Sequence, residues 1–245
     1  MTLGSLPPSF QLALLSCVLT TAGSLAGAES PGLAAARQAV PILCTQNPSA
    51  RTKTRGTAVV VDSAGVILTA AHVVLDAQTS CTLTLLIPND EWSRASKFRP
   101  FSVRHCAVNQ LLDIALCHIQ PIDNVRDWSY LKPARLRIRS PQPGAMVTIT
   151  GFTGWGHFPT VVRGGFVSPQ QFYRRQDGCY CDFAIEAVTH EGMSGSPLVT
   201  ETGDVIGLIT TAGTGKFRGL SFGTSFERAA SFLRKAGLNS PFGDN

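Results

Sequence analysis

From Gly56 to Thr224 the chain is made of short apolar runs cut apart by turn residues, a rhythm that points to an all-β barrel or sandwich. A first group of predicted strands covers 56–62, 66–70, 81–88, 101–108 and 113–119. A second covers 145–152, 159–168, 180–188, 196–200, 204–212 and 218–224. Ser63-Ala64-Gly65 makes the first turn, Pro88-Asn89-Asp90 ends the third run, and Glu201-Thr202-Gly203-Asp204 reads as a hairpin turn. The stretch 121–144 bridges the two groups and contains Pro121, Pro133, Pro141, Pro143 and Gly144. One helix is expected at the end, over about 225–236. Thr224-x-x-Glu227 has the form of a capping box, and Phe226, Ala229, Ala230 and Leu233 recur at helical spacing. Arg234 and Lys235 suit the negative end of the helix dipole, and Gly237 stops the run.

Three segments inside this pattern carry chemistry. Thr69-Ala70-Ala71-His72 closes one apolar run, Asp113-Ile114-Ala115-Leu116 opens another, and Gly192-Met193-Ser194-Gly195-Ser196-Pro197 lies in the second group. A serine hydroxyl is a poor nucleophile near neutral pH. It needs an imidazole to take its proton, and the imidazole needs a carboxylate to fix its tautomer. His72, Asp113 and Ser194 are the candidates for base, orienting acid and nucleophile. Glycines on either side let the backbone turn tightly, so that the N–H groups of Gly192 and Ser194 can aim at one developing oxyanion. Ser194 suits the role better than Ser196, because only Ser194 follows closely on the glycine that must offer an oxyanion N–H. A lone histidine is most often a satisfied core residue, and an acid ahead of a strand most often faces water. The joint order of all three segments favours the catalytic reading, with Asp123 and Asp127 as poor substitutes for Asp113.

These residues resemble the chymotrypsin-fold (trypsin-like) serine peptidases, and among them the bacterial branch with the glutamyl endopeptidases and the periplasmic high-temperature-requirement proteases. The similarity runs from about Gly56 to Leu233. Gly56-Thr57-Ala58-Val59-Val60-Val61 with Val66-Ile67-Leu68-Thr69-Ala70-Ala71-His72 is similar to the hairpin that delivers the family histidine, and Asp113–Leu116 to its aspartate strand. Val147–Phe152 and Gly164–Ser168 resemble strands opening a second barrel, and Ser196–Val199 with Gly203–Leu208 the hairpin after the serine. The resemblance implies two six-stranded antiparallel β-barrels with a C-terminal helix, the first over about 56–120 and the second over about 140–224. It also implies hydrolysis of polypeptides through an acyl-enzyme, with no metal or organic cofactor. The pocket-lining stretches of the family fall on 188–191, 209–213 and 219–221, giving Val188, Thr189, Ile209, Thr210, Ala212 and Ser221 as candidate substrate-binding residues. Two departures matter. Met193 stands where animal digestive members carry an acid for zymogen activation, and no Ile-Val-Gly-Gly-like start occurs. Ile209 stands where glutamyl-specific members place a histidine. An uncharged, small or medium aliphatic residue before the scissile bond is therefore expected.

Residues 1–28 read as an export signal. Leu12 to Leu25 is mostly apolar, and Ala26-Gly27-Ala28 is a small-x-small site with cleavage expected before Glu29, although Met1 to Gln11 has no Lys or Arg. A transmembrane anchor is the rival, but Ser, Thr and Gly interrupt the stretch and it is short for a span. Leu14-Leu15-Ser16-Cys17 fits a lipoprotein site poorly. The remainder divides into an arm over 29–55, with an apolar patch at Val40-Pro41-Ile42-Leu43, and a peptidase domain over 56–245 with no span and no appended domain. Losing Cys17 leaves Cys44, Cys81, Cys106, Cys117, Cys179 and Cys181, an even set that suits an oxidising compartment, secreted or periplasmic. Cys106 and Cys117 flank the Asp113 segment and can bridge neighbouring strands. Cys179 and Cys181 point the same way along a strand and so take different partners. Zinc is a poor fit to Cys-x-Cys.

The formal charge of +5 raises a nucleic-acid reading for Arg135-Leu136-Arg137-Ile138-Arg139. Alternating basic and apolar residues without stacking aromatics suit an inter-barrel connector with one wet face better, and no nucleic-acid partner is expected. His105 and His118 lack a ligand cluster, which argues against a metal pair. His190 and Glu191 border the serine turn, and Trp155 sits on a loop where packing is the default. Two other classes compete. A peptidase-like binding protein that does not cleave would be expected to lose its triad. An α/β-hydrolase needs Gly-x-Ser-x-Gly and the order Ser, acid, His, which is the reverse of the order here.

Overall fold

The runs pair as antiparallel strands that close on themselves twice. The structure, a computed structural model, describes residues 39–45, 53–78, 82–88, 98–122, 133–154, 159–168, 173–174, 180–238 and 242. In the first barrel lie β1 (Ala39–Thr45), β2 (Lys53–Asp62), β3 (Val66–Thr69), β4 (Thr82–Pro88), β5 (Phe98–Asn109) and β6 (Ile114–Pro121), with α1 (Ala71–Gln78) leaving β3. Their order around the barrel is β1-β2-β3-β6-β5-β4. The second barrel takes β7 (Met146–Phe152), β8 (Pro159–Ser168), β11 (Phe183–Glu186), β12 (Pro197–Thr200), β13 (Val205–Ala212) and β14 (Leu220–Ser225), in the order β11-β14-β13-β12-β7-β8. The short pair β9 (Tyr173–Arg174) and β10 (Tyr180–Cys181) stands apart, and α2 (Phe226–Lys235) closes the chain.

The sequence showed five strands before the bridge, and the sixth corrects the arm expected over 29–55. β1 pairs with β2 from Ala39↔Val59 and with β4 at Ile42↔Leu85, burying Val40 and Ile42 in the barrel core. Without it β2 and β4 would leave open edges. Pro41 sits within this strand although proline cannot donate to the ladder. A bulge between Ile42 and Leu43 accommodates the irregular pairing with β2. α1 was also unexpected. Its adjacent Val73 and Val74 are β-branched, which disfavours helix, yet both are buried against the first barrel's core.

The predicted run 180–188 breaks at Asp182, for a physical reason. Its buried carboxylate accepts the Ser225 N–H at 2.8 Å and the Ser225 hydroxyl at 2.5 Å. Burial pushes the Asp182 carboxyl up, opposed by the Ser225 hydrogen bonds and the Arg228 charge. Ser225 in turn caps α2, its hydroxyl accepting from Arg228 N at 3.2 Å. The cap is therefore one residue later than the expected Thr224. That threonine remains in β14 and donates to the Leu112 carbonyl of the other barrel at 2.5 Å.

Each barrel has its own core. Ile42, Val60, Ile67, Leu85 and Phe101 fill the first, and Ile149, Phe166, Phe183, Leu198 and Ile209 the second. A further cluster joins them, in which Leu68, Ile114 and Leu116 of the first barrel meet Val199, Val205 and Leu208 of the second, roofed by Phe226, Ala229 and Leu233 of α2. The helix thus covers the seam between barrels, and each large side chain buried there contributes about 1.5–3 kcal/mol. Leu136 of the connector enters the same cluster and bridges to Val205. Arg135 and Arg137 both pair with Asp204, so that much of the basic stripe is tied down by structural ion pairs. Cys106 and Cys117 form a disulfide across β5 and β6 at the bulge before Ala107. Cys81 and Cys179, the Cys44 side chain and residues 1–28 lie outside the described residues.

Candidate active site

His72 is the second residue of α1, and Asp113 immediately precedes β6. β3 pairs with β6 from Thr69↔Ala115, so the end of one strand and the start of the other bring the two residues together. Asp113 is buried and adopts a left-handed conformation, φ +48°, which Asp tolerates better than most residues. This bend follows a turn in which Leu112 N–H donates to Asn109 Oδ1 at 3.1 Å and Asp113 N–H to the Gln110 carbonyl at 3.2 Å. The result is a two-point grip. Asp113 Oδ1 accepts the His72 backbone N–H at 2.9 Å, while His72 Nδ1 lies 2.8 Å from Oδ2 and 3.0 Å from Oδ1. A carboxylate is an acceptor only, so Nδ1 carries the proton and Nε2 presents a lone pair.

The serine turn docks against the first barrel beside α1. A side chain at Gly195, where φ is +86°, would strike the Thr57 carbonyl and come within 3.0 Å of Ala70 N. Thr57 N–H donates to the Ser194 carbonyl at 2.8 Å. Gly192, at φ +93°, sits so close to the Phe152 carbonyl that an added Cβ would collide with it. Within 192–196 three N–H groups are bonded: Met193 to the His190 carbonyl at 3.0 Å, Gly195 to Ile209 at 2.7 Å, and Ser196 to Met193 at 3.0 Å. Those of Gly192 and Ser194 have no partner among the described residues. The Ser194 hydroxyl donates to the Thr210 carbonyl at 3.4 Å, a long bond that leaves it little held. Met193 is wholly buried in the second barrel's core beside Ile209 and Leu198, where an acid would have no partner.

The candidate pocket residues separate into groups. Thr189 and Ser221 are buried, and their hydroxyls meet at 2.8 Å. Ser221 donates to the Ala187 carbonyl at 2.8 Å, so its proton is committed there and Thr189 must be the donor to Ser221. Thr210 presents its carbonyl to Ser194, and its hydroxyl lies 3.2 Å from Cys181 Sγ. Ala212 is exposed at the end of β13, and Val188 is 55% exposed. Ile209 points into the barrel core, away from solvent. Sequence reading missed Thr57, whose only signal was a hydroxyl inside an otherwise apolar run. His105 and His118 are exposed on β5 and β6, and no metal-binding cluster occurs among the described residues.

The fold recurs in solved structures. The active form of the Rv3671c protease from M. tuberculosis superposes with a TM-score of 0.65 at 21% identity, over 87% of each chain. A serine endoprotease from Yersinia pestis gives a TM-score of 0.64 at 20% identity, over 88% of this chain and 69% of its own. No curated protein matches the sequence significantly. Residues 56–208 match the family model of the trypsin-like peptidase domain, a span that holds His72, Asp113 and Ser194. The chain therefore belongs to the trypsin-like peptidase domain family and is a serine-type peptidase acting on polypeptides.

Proposed function

We propose that this peptidase is an exported endopeptidase working through an acyl-enzyme, with Ser194, His72 and Asp113 as its triad and the N–H groups of Gly192 and Ser194 as oxyanion donors. One observation carries the reading. A buried carboxylate fixes the histidine tautomer beside a turn whose two unbonded N–H groups flank a lightly held serine hydroxyl. Attack requires the Ser194 hydroxyl to turn from the Thr210 carbonyl toward His72 Nε2. As Oγ attacks the scissile carbonyl, its proton passes to Nε2, and the two N–H groups take the charge on the carbonyl oxygen. His72 then protonates the departing amine, and water hydrolyses the ester by the same relay. Since Met193 is packed in apolar core and the turn is already formed, no insertion of a new N-terminus is required for activity.

For specificity, Thr189 and Ser221 support a short, neutral pocket. Both hydroxyl protons are spent inside the protein, so neither is left to bind a substrate carboxylate. The contact also links the segment before the serine to β14. A Lys or Arg side chain there would be buried without a counter-charge. Cleavage of a proteome-derived peptide library should show small or medium aliphatic residues before the scissile bond, and no cleavage by Ser194→Ala. Ser221→Gly should shift that preference toward larger side chains by roughly tenfold, the scale of a methylene or two in an apolar pocket. A profile dominated by Lys, Arg or Glu would contradict the pocket assignment.

Export rests on residues 1–28 and the paired Cys106 and Cys117. Intact-mass analysis of exported protein should begin at Glu29 and show Cys106 and Cys117 paired. A protein retaining residue 1 with all its thiols free would contradict it.

A further inference from the structure

We infer that Thr57 is a positioning residue for catalysis, its hydroxyl holding the oxyanion turn in its working shape; the inference rests on the peptidase reading above. Thr57 is fully buried in β2, on the opposite barrel from the turn. All of its polar atoms are engaged. Its N–H donates to the Ser194 carbonyl at 2.8 Å, and its carbonyl accepts the Thr69 hydroxyl at 2.7 Å. Its hydroxyl donates to the Gly192 carbonyl at 3.0 Å and accepts the Phe152 N–H at 3.0 Å.

The Gly192 carbonyl is the informative acceptor. It belongs to the Gly192–Met193 peptide, which lies between the two peptides whose N–H groups are unbonded. That middle peptide is fixed at both ends, its carbonyl by Thr57 and its N–H by the His190 carbonyl. The preceding peptide is fixed from the same side, since Gly154 N–H holds the Glu191 carbonyl at 3.0 Å and so turns the Gly192 N–H the other way. Gly154 follows Phe152 by two residues, and Phe152 N–H is anchored on Thr57 Oγ1. One hydroxyl thus ties the middle peptide and the strand end that holds its neighbour. Glycine at position 192 leaves that backbone free to rotate, so the shape must be imposed from outside. Without the hydroxyl, the Gly192 carbonyl and the Phe152 N–H would both lose this buried partner. A flip of the turn would relieve them and remove an oxyanion donor.

The test compares Thr57→Val, Thr57→Ala and Thr57→Ser with the wild type on a peptide substrate, after thermal melting confirms folding. Val and Ala should lower kcat by about 10²-fold with KM nearly unchanged, the loss expected when one oxyanion donor is misplaced. A peptidyl boronate, whose tetrahedral adduct places an oxygen on the oxyanion donors, should bind more weakly by the same factor. Binding of a product peptide should not change. Ser should restore kcat to within a few fold, because it keeps both hydrogen bonds. Wild-type kcat in Val or Ala, or equal losses for boronate and product peptide, would overturn the proposal. So would failure of both variants to fold, which would assign Thr57 to stability. A wild type with no Ser194-dependent turnover would instead remove the peptidase assignment on which this rests.

Discussion

Ser194→Ala is expected to reduce turnover by roughly 10⁴ to 10⁶-fold while leaving the melting temperature within a few degrees of the wild type. The side chain is only partly buried and its hydrogen bond to the Thr210 carbonyl is long, so its removal costs the fold little. The turn is held by backbone bonds and by Thr57, which alanine leaves in place. Residual cleavage then comes from substrate binding and the oxyanion donors alone. Steady-state kinetics on a peptide found in the library screen, alongside a melting curve, check both halves of this expectation. Turnover near the wild type would remove Ser194 from the chemistry.

Asp113→Asn should cost about 10⁴-fold in kcat with the backbone unmoved. Asn tolerates the left-handed conformation nearly as well as Asp, so the φ of +48° does not itself penalise the change. The difference lies in donors and acceptors. Asp113 offers oxygen to both the His72 backbone N–H and Nδ1. Asn has one oxygen, and with that oxygen on the backbone N–H its amide group faces Nδ1. The ring proton is then driven to Nε2, the atom that must accept from Ser194. Kinetics, together with NMR of the His72 ring to read its tautomer, check this. Unchanged kcat, or a proton retained on Nδ1, would contradict it.

Much of the candidate site is legible in the sequence. His72, Asp113 and Ser194 stand out because each is a polar residue at the edge of an apolar run, in an order that chemistry can use. The two strand groups and the final helix were legible for the same reason, since burial of one face writes a period into the sequence. What escaped was set by tertiary context. β1 is specified by the need of β2 and β4 for a partner, and Pro41 hides it locally. α1 carries two adjacent β-branched residues and is held by packing on the first barrel. The α2 cap moved from Thr224 to Ser225 because Leu112, far away in sequence, offers Thr224 a buried acceptor. In the pocket, position numbers alone could not show that Ile209 faces the core, or that Thr189 spends its proton on Ser221 and Ser221 its own on Ala187. Thr57 was invisible for a related reason, since both of its hydroxyl partners lie in the other barrel.

On the proposed reading, Ser194 is a nucleophile made reactive by His72 and Asp113. Covalent labelling tests it most directly. The folded protein should react with a fluorophosphonate at one site, and peptide mapping of the adduct should place the label on Ser194. Labelling should vanish in Ser194→Ala and in heat-denatured wild type, and should slow sharply in Asp113→Asn. A label on Ser196 or elsewhere, or equal labelling of wild type and Ser194→Ala, would contradict the account.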